Sequence, residues 1–365
     1  MRMKAAVRTK AAVWTAAALA CAGLAAGLAG CGVSPNSVST QQAATRFLTS
    51  YVLPDGRVVR LDQGHDTVSE GQAYGMLLTE TVGDDAQFRR IWQWTHDHLQ
   101  RPDGLFAYLA NAKGEVVSQN PAADADLLTA WALLRYRGPA AATWHQDGRR
   151  VAAAILAHEV TAGPDGMPVL TAGPWATGRP ATLNPSYWSL PALLGMERLT
   201  GDEQWRRLAV SAVRLTRELT QDGRVLPPDW AMLSADGTVR AEPAPDGSEP
   251  EPEYGPGAQR TVVWFAASCD PAARSLAARW WQLLRPGHRS LRLALSLGGR
   301  MVNPSYAALP LVASAAAAQA AGHGAAVRRL LWRAERQQRS DPTYYGGAWA
   351  ALGPALLTRG TLGSC

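Results

Sequence analysis

The feature of this sequence that most constrains its fold is a set of six segments that open with polar or small residues and run into an apolar helix. Successive segments begin about 40 to 75 residues apart. Helices that point the same way, each returned by an outer helix, would form a closed barrel of helical hairpins. The polar openings would then gather at one end, where a cleft could lie. Periodicity alone is equally compatible with an irregular helical bundle. The segments are "SEGQAYGML" (from residue 69), "ADADLLTAWALL" (123), "NPSYWSLPALL" (184), "GAQRTVVWF" (257), "NPSYAALPLV" (303) and "YYGGAWAALGPALL" (344).

Stretches between these segments have the amphipathic pattern of outer helices. "TGDEQWRRLAVSAVRLTREL" opens with Thr200 and Glu203 in the spacing of a capping box, and "DPAARSLAARWWQLLR" places Pro271 at a first helical position. "AAVRRLLWRAERQQ" has the same amphipathic character. In the two NPSY copies, we expect Asn184 and Asn303 to cap helices. The tryptophans predicted to lie in the core are Trp92, Trp94, Trp131, Trp280 and Trp281.

The amino-terminal region has the layout of a secretory signal. The formal net charge of the chain is +6, but four cations fall within the first ten residues, which leaves +2 for the rest. No Lys/Arg stripe is left, and this argues against nucleic acid as a partner. An apolar run over residues 11–29 follows the cations. The motif "LAGC" at residues 28–31 closes this region and resembles a bacterial lipobox with Cys31 as the lipidated residue. The alternative is an uncleaved membrane helix.

This layout predicts three regions: a lipoprotein signal peptide over residues 1–31, a polar tether over 32–44 and a single domain over 45–365. Lipidation at Cys31 implies export to the periplasm and attachment to a membrane. Gly32 follows the cysteine, and no Asp does, which indicates the outer membrane.

The remaining cysteines are Cys269 and Cys365, which could pair in an oxidising compartment. Their separation in sequence leaves that pairing open. No CxxC motif or His/Cys cluster suggests a metal, and we expect neither an organic cofactor nor a catalytic metal.

Several motifs together resemble glycoside hydrolase family 8. They are "DTVSEGQAYGMLL", "FRRIWQWT", "DGLFAY", "ADADLLTAWALL", "GPW" and "LNPSYW", and the resemblance runs from about Thr45 to Gly353. It is greatest to the endo-β-1,4-glucanases encoded beside bacterial cellulose synthases. The resemblance implies an all-α fold, an (α/α)₆ barrel of six helical hairpins with a long acidic and aromatic groove.

Glu70 is the acid inside the first motif, at a helix start whose neighbours read as buried. Such a carboxyl group is either a solvated residue at a helix end or an acid kept protonated for catalysis. The resemblance implies the second role, that of the general acid that protonates the glycosidic oxygen. It also implies that Asp124 lies against the sugar at the scissile bond, although Ala123 replaces the usual Ser or Thr. Asp126 could cap the helix or bias the ionisation of its neighbour.

The second carboxylate of an inverting glycosidase is missing from its usual position. The family motif "YDAxR" reads "PGAQR" here, so Gly257 stands in place of the base Asp. An acid of the "DGSEPEPEYG" stretch could substitute, with Glu253 preferred over Asp246, Glu249 or Glu251. Another subfamily's arrangement could apply instead, or hydrolysis could be impaired. A Gly257→Asp variant should gain activity if the base is simply absent.

Substrate contacts are expected from aromatic rings that stack on sugar faces and from polar side chains that bind hydroxyls. By resemblance these residues are Tyr108, Trp175, Tyr187, Arg260 and Tyr345, with Tyr344 as an alternative to Tyr345. Tyr306, in the second NPSY copy, stays undecided.

The sequence therefore predicts an exported endo-acting glycoside hydrolase that cleaves β-1,4-glucan with inversion, in connection with bacterial cellulose synthesis. Its expected partners are the glucan, a membrane bound through the lipid, and a cellulose synthase complex. The alternative is a catalytically weakened glucan-binding or scaffold lipoprotein of a polysaccharide export system. A hydrolase of another polymer, such as xylan or chitosan, is a third hypothesis.

Overall fold

The computed structural model describes residues 39–287, 291–357 and 362. Twelve α-helices make up most of these described residues, and they alternate between a buried and an amphipathic type. In chain order they are α1 (Thr40–Tyr51), α2 (Ser69–Val82), α3 (Asp85–Leu99), α4 (Ala123–Arg135), α5 (Ala141–His158), α6 (Leu190–Thr200), α7 (Gln204–Leu219), α8 (Pro256–Ala266), α9 (Pro271–Leu284), α10 (Ala308–Ala320), α11 (Gly324–Ser340) and α12 (Tyr344–Leu357).

The even-numbered helices form a closed inner ring. Each packs against the next, and α12 packs back against α2. Almost every residue of α4, α10 and α12 is buried, while the odd-numbered helices bury one face and expose the other. Each odd-numbered helix from α3 to α11 packs on the inner helix that precedes it, and α1 packs on α2 and α12. The predicted (α/α)₆ barrel of helical hairpins is therefore confirmed.

Side-chain size explains which helices lie inside. The inner helices are rich in Ala and Gly, so their backbones approach closely; a Cβ on Gly353, for example, would overlap Val312. The outer helix α7 instead buries the stripe predicted for it, including Trp205, Leu208 and Leu215. The five tryptophans predicted to be core residues are all buried as well.

Two local helix predictions are wrong. Thr200 is the last residue of α6, so it does not form a capping box with Glu203, and Asp202 accepts the Gln204 N–H at 2.8 Å instead. Of the NPSY copies, Asn184 caps only a 3₁₀ turn over Pro185–Tyr187, ahead of α6. Asn303 ends a strand, and α10 begins five residues later. Pro271, by contrast, does begin α9.

Short antiparallel strands occupy the loops that lead into the inner helices. They form three three-stranded sheets, ordered β1-β2-β3, β6-β7-β8 and β11-β10-β9, and one β4-β5 hairpin. The strands are β1 (Thr67–Val68), β2 (Leu109–Ala110), β3 (Val116–Ser118), β4 (Val160–Ala162), β5 (Pro168–Leu170), β6 (Ala181–Leu183), β7 (Trp230–Leu233), β8 (Val239–Glu242), β9 (Glu253–Tyr254), β10 (Ala294–Ser296) and β11 (Met301–Asn303). A further 3₁₀ turn spans Pro174–Ala176.

The predicted signal peptide, with Cys31, lies outside the described residues. Helix α1 begins at Thr40 and buries Ala43 and Ala44, so the predicted tether boundary at residue 44 is too late. Within the described ranges no helix has both the length and the apolar character needed to cross a membrane. Cys269 is disulfide-bonded, whereas Cys365 lies outside the described residues.

A cavity of about 720 Å³ lies where the inner helices α2, α4 and α6 end. Its wall includes the Glu80 carboxylate, which accepts a hydrogen bond from Arg135 at 3.2 Å. Burial raises the pKa of Glu80 to about 7, and the nearby Arg135 charge opposes this rise. Folding therefore favours the protonated form of Glu80 over a pH range in which the unfolded chain already ionises it.

We expect the pH dependence of stability to reveal Glu80. Because its pKa in the folded protein is raised from 4.5 to about 7, its contribution is fully present below pH 4.5 and is lost as the pH rises to about 7. The stability of Glu80→Gln relative to wild type should therefore increase by roughly 3 kcal/mol between pH 4.5 and 7.5.

Urea unfolding at several pH values measures this difference. Glu203→Gln, an exposed position, is the matched control and should show a flat difference. A flat difference for Glu80→Gln as well would contradict the assignment.

Candidate active site

The inner helices begin at one end of the barrel and carry the predicted site residues in their first turns. Glu70 lies at the start of α2, Asp124 at the start of α4 and Arg260 in the first half of α8. The structure brings all three into contact. The predicted gathering of polar helix starts at one end of the barrel therefore occurs in the folded chain.

The Arg260 guanidinium is the centre of this cluster. Its Nη1 lies 3.1 Å from Glu70 Oε2 and 2.7 Å from Asp124 Oδ2, and it also donates to the Tyr74 hydroxyl at 3.1 Å. Its Nη2 donates to Ser186 Oγ at 2.6 Å. One buried cation thus joins residues from α2, α4 and the 3₁₀ turn ahead of α6.

Asp124 is nearly excluded from solvent, with 3% of its surface exposed. Burial raises the pKa of Asp124 to about 6; the Arg260 charge opposes this rise and the Glu70 charge adds to it. Its Oδ1 also accepts the Ala125 N–H at 2.9 Å, in the first turn of α4. The carboxylate is therefore fixed by a helix start on one side and by a guanidinium on the other.

Glu70 remains accessible to solvent, since 16% of its side chain is exposed. The Ser69 N–H donates to the Tyr108 carbonyl at 2.9 Å and holds the start of α2 against the neighbouring loop. Gly71 leaves room for the Tyr344 hydroxyl, which a Cβ there would overlap. The Glu70 carboxyl group is thus partly buried but still accessible. A group that must contact a bound substrate requires this intermediate exposure.

Asp126 contacts different residues from those that Asp124 contacts. It is fully buried, its Oδ1 accepts the Phe106 N–H at 2.8 Å, and its other neighbour is the buried carboxyl group of Glu159. Burial raises the pKa of both Asp126 and Glu159 well above the usual range. Asp126 does not cap its own helix; its carboxylate instead holds the backbone of the Phe106 loop.

The predicted aromatic residues line the same end. Tyr108, Tyr187 and Tyr345 are partly exposed and Tyr344 is buried, which favours Tyr345 as the groove residue of that pair. Tyr187 lies 5.5 Å from the Arg260 guanidinium.

Two further aromatic residues are exposed in loops. Trp175 is 46% exposed, and its indole N–H donates to the Pro121 carbonyl at 3.1 Å, just ahead of α4. Tyr306 is 58% exposed and stacks under Arg292 at 3.8 Å.

The sequence analysis missed two residues of this region. Trp230 on β7 lies edge-on to Tyr187, with ring centroids 6.4 Å apart. Asp229, the residue before it, is buried against the start of α8 and touches the loop that carries Glu253. Neither belongs to a motif of the resemblance, so only the fold places them here.

The acids of the "DGSEPEPEYG" stretch fall into two groups. Asp246 and Glu251 are exposed, whereas Glu249 and Glu253 approach Asp229. The carboxylate oxygens of Asp229, Glu249 and Glu253 all lie within 4.8 Å of one another. Among the described residues this is the group of acids close enough to hold a cation.

The ring of inner helices and the carboxyl pair at its open end define a barrel protein of the (α/α)₆ glycoside hydrolase type. The family model described as "Glycosyl hydrolases family 8" matches residues 10–246. The chain therefore belongs to glycoside hydrolase family 8.

The chain is 32% identical over 218 residues to a protein described as a probable endoglucanase from Novacetimonas hansenii; the match covers 55% of this chain and 60% of that one. It is 33% identical over 210 residues to an endoglucanase from Cellulomonas uda, covering 54% and 57%. These matches span under two thirds of the relatives' lengths. The solved structure of an endo-β-1,4-glucanase from Acetobacter xylinum superposes with a TM-score of 0.71 at 27% identity, covering 88% of this chain and 97% of that one.

We expect Arg260→Ala to destabilise the fold in a pH-dependent way. The variant leaves Asp124 buried beside Glu70 without its cation, which costs about 3–5 kcal/mol when the carboxylate must stay charged. With a pKa of about 6 or higher, Asp124 takes up a proton at pH 5 and relieves that cost. The loss of unfolding free energy should therefore be larger at pH 7.5 than at pH 5.

Chemical denaturation at the two pH values measures the loss. Arg240→Ala is the control, because Arg240 pairs with Glu242 on the surface and should change stability by less than about 1 kcal/mol. An equal loss for Arg260→Ala at both pH values would contradict the electrostatic account.

Proposed function

We propose that this chain is an endo-acting glycoside hydrolase that cleaves β-1,4-glucan with inversion at the anomeric carbon. The observation that carries the proposal is the bridge that Arg260 makes between Glu70 and Asp124 at the open end of the barrel. Membership of the family and the endoglucanase relatives support the same activity.

The proposed chemistry divides the work between the two carboxyl groups. Glu70 gives its proton to the glycosidic oxygen as the bond from that oxygen to the anomeric carbon breaks. Positive charge then develops on the sugar ring, where the nearby Asp124 carboxylate stabilises it. Arg260 fixes both groups in one geometry, so little reorganisation is needed during the reaction.

A β-glucan also fits the surfaces around these acids. The faces of glucose rings carry C–H groups that stack on aromatic side chains. Tyr108 and Tyr187 lie beside the carboxyl pair, and the charges of Glu70 and Asp124 act on both hydroxyls. Trp175 is exposed at the edge of the same end and extends the row of rings.

The test is turnover of carboxymethylcellulose, measured as reducing ends released, in wild type and Glu70→Gln. We expect the variant to lose at least 100-fold in kcat, because the amide cannot donate a proton to the leaving oxygen. Glu115→Gln, an exposed position in a nearby hairpin, serves as the control and should match wild type.

The same experiment separates hydrolysis from scaffolding. Equal and negligible rates in wild type and Glu70→Gln, with cello-oligosaccharide binding retained, would favour a glucan-binding lipoprotein. The observation that favours this second function is Gly257, which stands where the family usually has its catalytic base Asp. Parallel assays on xylan, chitosan and mixed-linkage glucan address the choice of polymer.

We further propose that the chain is exported, lipidated at Cys31 and held at the outer membrane near a cellulose synthase complex. The support is the signal-like sequence of residues 1–31 and the resemblance to glucanases encoded beside these synthases. Cys31→Ser should abolish labelling by radioactive palmitate and release the protein from the membrane fraction. Labelling of the Cys31 variant at the wild-type level would contradict the proposal.

A further inference from the structure

Another acidic side chain occupies the volume that the usual base, an aspartate at position 257, would fill. A Cβ on Gly257 would lie 2.8 Å from Asp229 Oδ1 and 3.5 Å from Ser186 Oγ. The Asp229 carboxylate therefore occupies the volume into which an aspartate side chain at position 257 would project. Asp229 belongs to a different part of the chain, immediately before β7.

The start of α8 is shaped to hold that carboxylate. Its Oδ1 accepts the Ala258 N–H from the first turn of the helix, where the helix dipole favours negative charge. A Cβ on Gly255 would also overlap Asp229. Glycine on both sides of Pro256 is thus what leaves room for Asp229 to reach this place.

Ser186 connects the Arg260 guanidinium to the space that Asp229 fills. The guanidinium meets Glu70 through Nη1 and Ser186 through Nη2, and Ser186 Oγ faces the space beside Gly257 that Asp229 fills. Burial is the largest cause of the raised pKa of Tyr345. The charges of Glu70, Asp124 and Asp229 raise this pKa further. Glu70 and Asp229 are therefore both near enough to the same partly exposed tyrosine for their charges to act on it.

The neighbours of Asp229 make its carboxylate a stronger proton acceptor than that of an ordinary aspartate. Burial raises the pKa of Asp229 well above its usual range, and the charges of Glu249 and Glu253 raise it further. The other titratable groups that face it are Tyr254 and Tyr345. Three carboxyl groups this close titrate as a unit, so their apparent pKa values belong to the cluster and not to Asp229 alone.

We infer that Asp229 is the general base of the proposed hydrolysis, in place of the aspartate that position 257 lacks. Asp229 accepts a proton from water while the water oxygen bonds to the anomeric carbon. In the same step the bond to the leaving oxygen breaks, and that oxygen receives the proton of Glu70. This inference rests on the proposed function and revises the choice of Glu253 as the substitute.

The first experiment compares Asp229→Asn with wild type on carboxymethylcellulose. We expect kcat to fall by about 10²–10⁴-fold while cello-oligosaccharide binding is retained. Sodium azide, a small nucleophile that needs no base, should restore turnover and yield a glycosyl azide of inverted configuration. Asp246→Asn, on the exposed part of the neighbouring loop, is the matched control and should match wild type.

The second experiment moves the carboxylate back to α8. Asp229→Ala combined with Gly257→Asp should recover at least tenfold over Asp229→Ala alone, because the new side chain enters the vacated volume. Gly257→Asp alone should lose activity rather than gain it, since two carboxylates then compete for one place.

The third readout is the pH profile of Glu253→Gln. Because the Glu253 charge raises the pKa of Asp229, its removal should move the acidic limb of kcat to lower pH. A merely structural role for Asp229 would leave that limb in place.

The outcomes of these experiments distinguish a failure of the inference from a failure of the proposed function. If Glu70→Gln is inactive while Asp229→Asn keeps wild-type kcat, the base lies elsewhere and the inference is overturned. If Asp229→Asn is inactive but neither azide nor the double variant restores turnover, Asp229 is structural and the inference also fails. If wild type and Glu70→Gln turn over equally, the proposed function itself is wrong.

Discussion

The hydrogen bonds of Arg260 tie together parts of the chain that are far apart in sequence. Its partners Tyr74, Asp124 and Ser186 lie 186, 136 and 74 residues away. A buried guanidinium is stabilised by acceptors that meet its donors, and here two carboxylates and two hydroxyls surround its two Nη groups. The contact therefore sets how α2, α4 and α8 meet at the open end of the barrel, and with it the placement of every group that the proposed chemistry uses.

Much of the fold could be read from the sequence, because the inner helices differ from the outer ones in composition. Segments starting at residues 69, 123 and 344 begin helices at those positions, and the segment at 257 begins one residue earlier, at Pro256. The second NPSY copy shows the limit of such reading. The same four letters form a 3₁₀ turn after Asn184 but irregular chain after Asn303, which pairs with Ala294 in a strand. Both asparagines accept the N–H two residues further on, so this local contact alone does not decide whether a helical turn follows.

The site was predictable where its residues belong to compact motifs. Glu70, Asp124 and Arg260 belong to such motifs and meet in the folded chain, and Glu253 lies close to Asp229 and Glu249. Asp229 was not predictable, because it precedes a strand in an unremarkable stretch and reaches the site only through folding. A signal did exist in the sequence: glycine on both sides of Pro256 leaves a space that another side chain must fill.

The direction of the inner helices explains why acids gather at one end of the barrel. Helix starts attract negative charge and helix ends attract positive charge, by about 0.3–1 kcal/mol for each exposed group. Glu70 and Asp124 lie in first turns and Asp229 accepts from one, whereas Arg135 and Arg198 lie in the last turns of α4 and α6. Glu80, near the end of α2, departs from this rule, and burial there raises its pKa to about 7. Asp124 is buried beside a second carboxylate, yet its pKa rises only to about 6, since a helix start and Arg260 both favour its charge. The shared direction of the inner helices therefore stabilises several buried carboxylates at the end of the barrel where these helices begin.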